Sequence, residues 1–146
     1  MIKMACLVAT LALVIAAAAP SRAADEPVGP DKVVYHVNNT ELQAGDALRN
    51  IGNHLEVNPK AQIVVVTHSR GVDMLFNDAK DKNGNTYQSL IERLKLQGVR
   101  FDVCQITLRN RKIEKSQFVP EATFVPSGVA EITRLQQREG YAYLRP

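Results

Sequence analysis

The stretch Ala61 to Gly71, AQIVVVTHSRG, decides the fold. Ile63, Val64, Val65 and Val66 form a continuous apolar run with no alternating polar residues, the pattern of a strand covered on both faces. Such a strand belongs in the centre of a parallel sheet with helices on either side. His68, Ser69, Arg70 and Gly71 follow at its carboxyl end as a polar turn.

Toward the N-terminus, KVVYHV, residues 32–37, is a second strand with β-branched residues on both faces. Between the two, Ala44, Ala47, Leu48, Ile51 and Leu55 recur at helical spacing from Gln43 to Val57, and Asn58-Pro59 stops the helix. Toward the C-terminus comes a short apolar-periodic piece from Val72 to Ala79, then the turn-rich KDKNGN at residues 80–85. A helix carrying Tyr87, Leu90, Ile91 and Leu94 follows, with Thr86 placed to cap it and Gly98 to end it. VRFDVC, residues 99–104, is the next strand. The segment QITLRNRKIEKSQF is polar and partly helical, and ATFV, residues 122–125, is a short strand or an extended link. A last helix opens at Ser127-Gly128, carries Val129, Ile132 and Leu135 on one face and ends at Gly140. YAYL, residues 141–144, is the final strand. The alternation predicts an α/β domain over residues 32–146: a layered α/β/α sandwich with a largely parallel five-stranded sheet.

The first 23 residues read differently. Met1 to Lys3 is a short basic region, Met4 to Ala19 an apolar run, and Ser21-Arg22-Ala23 a small-x-small cleavage site, the layout of a secretory signal peptide. Residues 24–31, ADEPVGPD, read as a flexible tether after cleavage. The expected product is an exported, periplasmic protein with no membrane span in its mature form. Cleavage removes Lys3 and Arg22 and no acid, so the formal charge of +3 falls to +1. A near-neutral chain with four Tyr, four Phe and no Trp gives no basis for a nucleic-acid partner.

Cys6 is lost with the signal, which leaves Cys104 as the one cysteine of the mature chain. An internal disulfide is then impossible in a compartment that favours disulfides. Cys104 ends a strand on the edge where parallel sheets bind ligands. Free N–H groups at the start of the following helix, with Arg109, Arg111 and Lys112 nearby, would lower its pKa. The alternative is a small buried hydrophobe that closes the strand. His68, Ser69 and Gly71 occupy the corresponding turn of the central strand, where His68 is a candidate base, a metal ligand or a solvent-facing side chain. A Cys104 and His68 dyad requires their strands to be neighbours. Asp102 precedes the thiol by two positions on the same strand, and Asp73 and Asp78 follow the central strand. His36, His54 and His68 lack metal-ligand spacing, and no metal or other cofactor is expected. Arg109 and Arg111 are either an anion-attracting rim or a solvated face. Tyr141 to Leu144 form an edge strand of the monomer or one that pairs between subunits.

Taken together, KVVYHVNN, ALRNIGNHLEVNP, IVVVTHSRGVDMLF, GNTYQSLIERLKLQGVRFDVCQITLRNRKI and VPSGVAEITRLQQREGYAYLRP resemble the DsrE/DsrF-like family, in particular its small exported single-domain members. The resemblance implies an α/β sandwich that assembles into homo-trimers or hexamers, and a cysteine that carries persulfide sulfur. Cys104 stands at that cysteine's position, followed by Thr107 and the basic stretch from Arg109. The turn at His68 to Gly71 matches the family's loop after the second strand. The expected function is a periplasmic sulfur carrier or sulfurtransferase-like protein holding sulfane sulfur on Cys104, with a sulfur donor or acceptor protein as partner. The alternatives are a non-catalytic oligomer that binds a small ligand or metal through His68 and Cys104, and a purely structural role.

Overall fold

The computed structural model describes residues 29–146, so the signal-peptide reading lies outside the described residues. Among the described residues eleven elements follow one another, of which five are strands and four are α-helices. Strand β1 (Lys32–Asn39) leads through α1 (Thr40–Val57) to β2 (Gln62–Arg70). A 3-10 turn at Gly71–Leu75 and helix α2 (Gln88–Leu96) lead to β3 (Arg100–Cys104). Helix α3 (Gln105–Arg111) and a second 3-10 turn, Lys115–Gln117, precede β4 (Ala122–Val125). Helix α4 (Gly128–Glu139) then returns the chain to β5 (Ala142–Leu144).

The strands lie in the order β4, β3, β2, β1, β5, with β2 in the middle and every pair parallel. The sheet is therefore the five-stranded parallel one its patterning predicts. On one face, Val33, Tyr35, Val37, Ile63, Val65, Phe101 and Val103 pack with α1, α2 and Leu108 of α3. On the other, Val34, Val64 and Val66 meet Ile132 and Leu135 of α4. Strand alternation accounts for the division. It sends His36, His68 and Cys104 to the α4 face, all three at or near the carboxyl ends of their strands.

Two local expectations differ from the structure. Val129 is 59 % exposed and does not join the buried face of α4. Gly128, Ile132 and Leu135, spaced four and three apart, line that face instead, and a repeated spacing of three drifts off it. Helix α2 begins at Gln88 behind Tyr87, which makes no side-chain cap; Thr86 is drawn into an antiparallel bridge with Lys80.

Asp31, the last residue of the segment read as a tether, is pinned. Its carbonyl accepts from the Gln62 N–H at 2.7 Å, and its carboxylate lies 3.0 Å from His54 Nε2.

The turn after β2 depends on Gly71, where β1 and β2 shift register between Val37 and Asn39. A Cβ there would stand 2.1 Å from the Val37 carbonyl oxygen and 2.8 Å from Asn38 Cα. Gly71 is thus a glycine because two backbones touch, and it is buried. Because the obstacle is backbone, Gly71→Ala should cost about 3 kcal/mol, seen as a lower urea midpoint at unchanged m-value; a loss under about 0.5 kcal/mol would show that the turn yields.

Candidate functional site

The sheet changes hands between β3 and β4. Helix α3, after β3, packs toward the α1 face through Leu108, whereas α4, after β4, covers the opposite face. Adjacent strands whose connections diverge in this way open a crevice between their carboxyl ends. Cys104 sits there as the N-cap residue of α3, in extended conformation.

Two helix starts meet at its sulfur. Burial opposes ionisation of the thiol, but the backbone N–H groups of Gly128, Thr107 and Ile106, with the Thr107 hydroxyl, outweigh it and bring the pKa below that of an ordinary cysteine. The thiol makes no capping hydrogen bond of ordinary geometry; these donors lie close enough to favour charge on it when it ionises. The residue is 5 % exposed, yet it belongs to neither apolar cluster. Backbone N–H groups and the Thr107 hydroxyl face its sulfur. Ile106 and Val129, in the first turns of α3 and α4, are 40 % and 59 % exposed and flank the crevice.

Gly128 permits the close approach. A Cβ on it would stand 3.2 Å from Cys104 Cβ, from His68 Cβ and from the Thr67 carbonyl oxygen. His68 and Cys104 therefore adjoin across β2 and β3, as the sequence reading required. The imidazole is nonetheless committed elsewhere. His68 Nδ1 lies 2.9 Å from Ser69 Oγ, and Nε2 lies 2.6 Å from His36 Nε2. His36 Nδ1 in turn lies 2.6 Å from the Tyr143 hydroxyl. The thiolate is thus favoured by amides, and the histidine beside it is one member of a longer hydrogen-bonded row.

Ser69 and Thr107 belong to the site. Ser69 adopts a left-handed φ of 52°, unfavourable for a residue with a Cβ and maintained by its partners. Its N–H donates to Thr107 Oγ1 at 3.0 Å, and its carbonyl accepts from Arg111 Nη1 at 2.9 Å. Arg111 also pairs with Asp73 at 2.6 Å. Its guanidinium therefore clasps the turn after β2. Arg109 is exposed on α3 and lines a different groove of about 510 Å³ with Gln105, Leu108 and Lys112. Asp102, fully buried, is held by Arg100 through Nε and Nη2 at 2.9–3.1 Å. It shares Arg100 with Glu131 in an ion-pair network, and burial raises its pKa against the pull of that guanidinium. Among the described residues no three or more His, Cys, Asp or Glu side chains group as metal ligands would.

Sequence reasoning passed over His36, Tyr143, Arg145 and Gly128. Burial first, then His68 and Arg145, push His36 down to about 4; burial and then Arg145 also lower His68. Arg145 is fixed by Asn38 Oδ1 at 3.3 Å. A usable signal existed for His36, which stands near the end of β1 with the same parity as Val34, as His68 does in β2 with Val64 and Val66. The unfolded chain takes up a proton at His36 near the free-histidine value of 6.5, which the folded chain refuses until about 4. Folding stability should therefore fall as pH drops through that window. Urea titrations should show a smaller loss in His36→Gln than in the unsubstituted protein, and equal losses would remove His36 as the source.

The family model described as the DsrE/DsrF-like family matches residues 9–146. A comparison with the curated proteins gives no match. Among solved structures, the protein of unknown function MTH1491 from Methanobacterium thermoautotrophicum is similar at a TM-score of 0.70 and 32 % identity, over 80 % of this chain and 99 % of its own. The ychN protein from E. coli reaches a TM-score of 0.66 at 17 % identity over the same shares, a likeness of fold. With nearly its whole length matched, the chain belongs to the DsrE/DsrF-like family.

Proposed function

We propose that this protein is a sulfur carrier, exported to the periplasm, in which Cys104 takes up sulfane sulfur, holds it as a persulfide and passes it to a thiol. The observation that carries the reading is the convergence of amides from α3 and α4 on the Cys104 sulfur. Family membership and the signal-like residues 1–23 support it. The chemistry is sulfurtransferase-like and uses side chains and backbone of the chain itself. Cys104 thiolate attacks the outer sulfur of a donor R–S–SH, the S–S bond breaks with its electron pair leaving on R–S⁻, and Cys104–S–SH remains. The same amides favour negative charge on the sulfur in both the free and the leaving state. Homo-oligomers of the trimeric or hexameric kind are part of this reading. All three residues of the edge strand β5 are exposed, with Tyr143 and Leu144 at 39 % and 43 %, which suits a contact between subunits or with a donor or acceptor protein.

A second reading, retention of a small ligand or metal by His68 and Cys104, is favoured by the shared approach of their Cβ atoms to Gly128. Metal analysis of the native protein separates the two, as does His68→Ala, which a carrier tolerates better than Cys104→Ser.

Incubation with thiosulfate or polysulfide followed by intact mass measurement should show an added sulfur on the mature protein and none on Cys104→Ser. Failure of several donors to load the unsubstituted protein would sink the carrier reading. Thr107→Val removes a hydroxyl that faces the sulfur, so the thiol pKa should rise and alkylation by iodoacetamide at neutral pH should slow about tenfold. Thr107→Ser should restore most of the rate, and alkaline pH should erase the difference. A rate independent of residue 107 would show that the hydroxyl contributes nothing to the anion.

A further inference from the structure

The row of Tyr143, His36, His68 and Ser69 has a property that its members lack singly. Two Nε2 atoms 2.6 Å apart have room for one proton between them. Burial and Arg145 both favour neutral rings, and a neutral imidazole carries one N–H. If His36 holds its proton on Nε2, His68 must accept there and carry its own on Nδ1, facing Ser69 Oγ. His36 Nδ1 then accepts from the Tyr143 hydroxyl. If His68 holds the shared proton, every donor in the row points the other way. The two arrangements interconvert by moving one proton across each link.

The geometry points to Tyr143, His36, His68 and Ser69 as a proton relay that joins solvent at the β5 edge to the sulfur-exchange site at Cys104. This inference rests on the persulfide reading and names the residues that move its proton. Both ends reach the surface, Tyr143 at the β5 edge and Ser69 beside Thr107. Tyr143 is 39 % exposed, and Ser69 bonds through its N–H to the Thr107 hydroxyl, which itself faces the Cys104 sulfur. The charged groups around the row are Arg145 from the C-terminal segment, Arg111 of α3 on the Ser69 carbonyl with its partner Asp73, and the Cys104 thiolate from β3. Along α4, Glu131 is occupied by Arg100 and Arg134, and Arg100 also holds Asp102.

Release of the sulfur supplies the need for a relay. An acceptor thiol R–SH must lose its proton before it attacks. Ser69 Oγ takes that proton as its own passes to His68 Nδ1. The His68 Nε2 proton passes to His36 Nε2, the His36 Nδ1 proton to Tyr143, and the Tyr143 proton to water. R–S⁻ then attacks the outer sulfur of Cys104–S–SH. The S–S bond breaks, its electron pair stays on Cys104, and R–S–SH leaves. The sum is R–SH + Cys104–S–SH → R–S–SH + Cys104–S⁻ + H⁺, with no oxidant or reductant consumed.

Sulfite offers a comparison, because it takes the same outer sulfur to give thiosulfate and has no proton to lose from its attacking atom. Cys104 persulfide is formed, excess donor removed, and release to mercaptoethanol and to sulfite timed at mildly alkaline pH. In His36→Gln and Tyr143→Phe the ratio of the thiol rate to the sulfite rate should fall about tenfold or more. Tyr143→Phe removes one exposed hydroxyl and keeps the ring, so it remains informative should His36→Gln fold poorly. ¹⁵N NMR of histidine-labelled, unsubstituted protein should show His36 and His68 neutral and in opposite tautomers. An unchanged rate ratio in Tyr143→Phe, or two rings in the same tautomer, overturns the relay and leaves the carrier reading standing. Absence of any sulfur on Cys104 in the unsubstituted protein removes both.

Discussion

Everything at this site depends on the chain leaving β3 toward one face of the sheet and β4 toward the other. In a sheet whose connections all ran on one face, a residue ending a strand would meet the start of a single helix. Here α3 and α4 begin on opposite faces at neighbouring strand ends, and amides from both reach Cys104. Gly128 makes the arrangement close, since any larger residue would press on Cys104, His68 and the Thr67 carbonyl together. The result is a thiol at 5 % exposure whose surroundings nonetheless favour its anion. Burial and anion binding are usually in conflict for a cysteine; backbone donors resolve the conflict without placing a full positive charge beside the sulfur.

The second support is the C-terminal segment. Pairing of β5 with β1 sets Tyr143 beside Val34 in register and brings its hydroxyl to His36. Beyond the strand, Gln43 Nε2 donates to the Pro146 carbonyl at 3.0 Å, while Gln43 Oε1 accepts from the N–H groups of Asn38 and Asn39 at 2.9 Å. One buried amide thus ties the end of β1 to the end of the chain. On the other side, Arg111 and Thr107 hold Ser69 in its left-handed conformation. The row from Tyr143 to Ser69 is therefore clamped at both ends by groups outside it, which is what preorganised proton transfer requires.

Particular residues show what could be read in advance. Cys104 was legible as a strand-end thiol, because the apolar run Val99 to Cys104 ends where polar sequence resumes. Its second helix was not, since Gly128 is 24 positions further on and only the pairing of β4 with β3, Cys104 beside Val125, brings the start of α4 to it. Arg111 read as a potential anion rim, but tertiary packing commits it to Asp73 and the Ser69 carbonyl. Asp102 read as a residue two positions ahead of the thiol on the same strand, and the structure pairs it with Arg100. His36 lacks local spacing with the other histidines, so a search for metal-ligand spacing does not single it out. That test suits metal loops and misses partners on neighbouring strands, whose separation in sequence depends on the length of the crossover.

By itself the sequence determined the alternation of elements, the buried central strand, the parallel sheet and the position of Cys104 at a strand end, because periodicity, β-branching and turn residues act locally. Only the tertiary structure decided which polar side chains meet there. Strand order, the face each helix covers and the pairing of β5 with β1 arise from contacts between residues up to 109 positions apart, as in the pairing of Val34 with Tyr143. Such contacts form through closure of the whole sheet, and no local pattern encodes them.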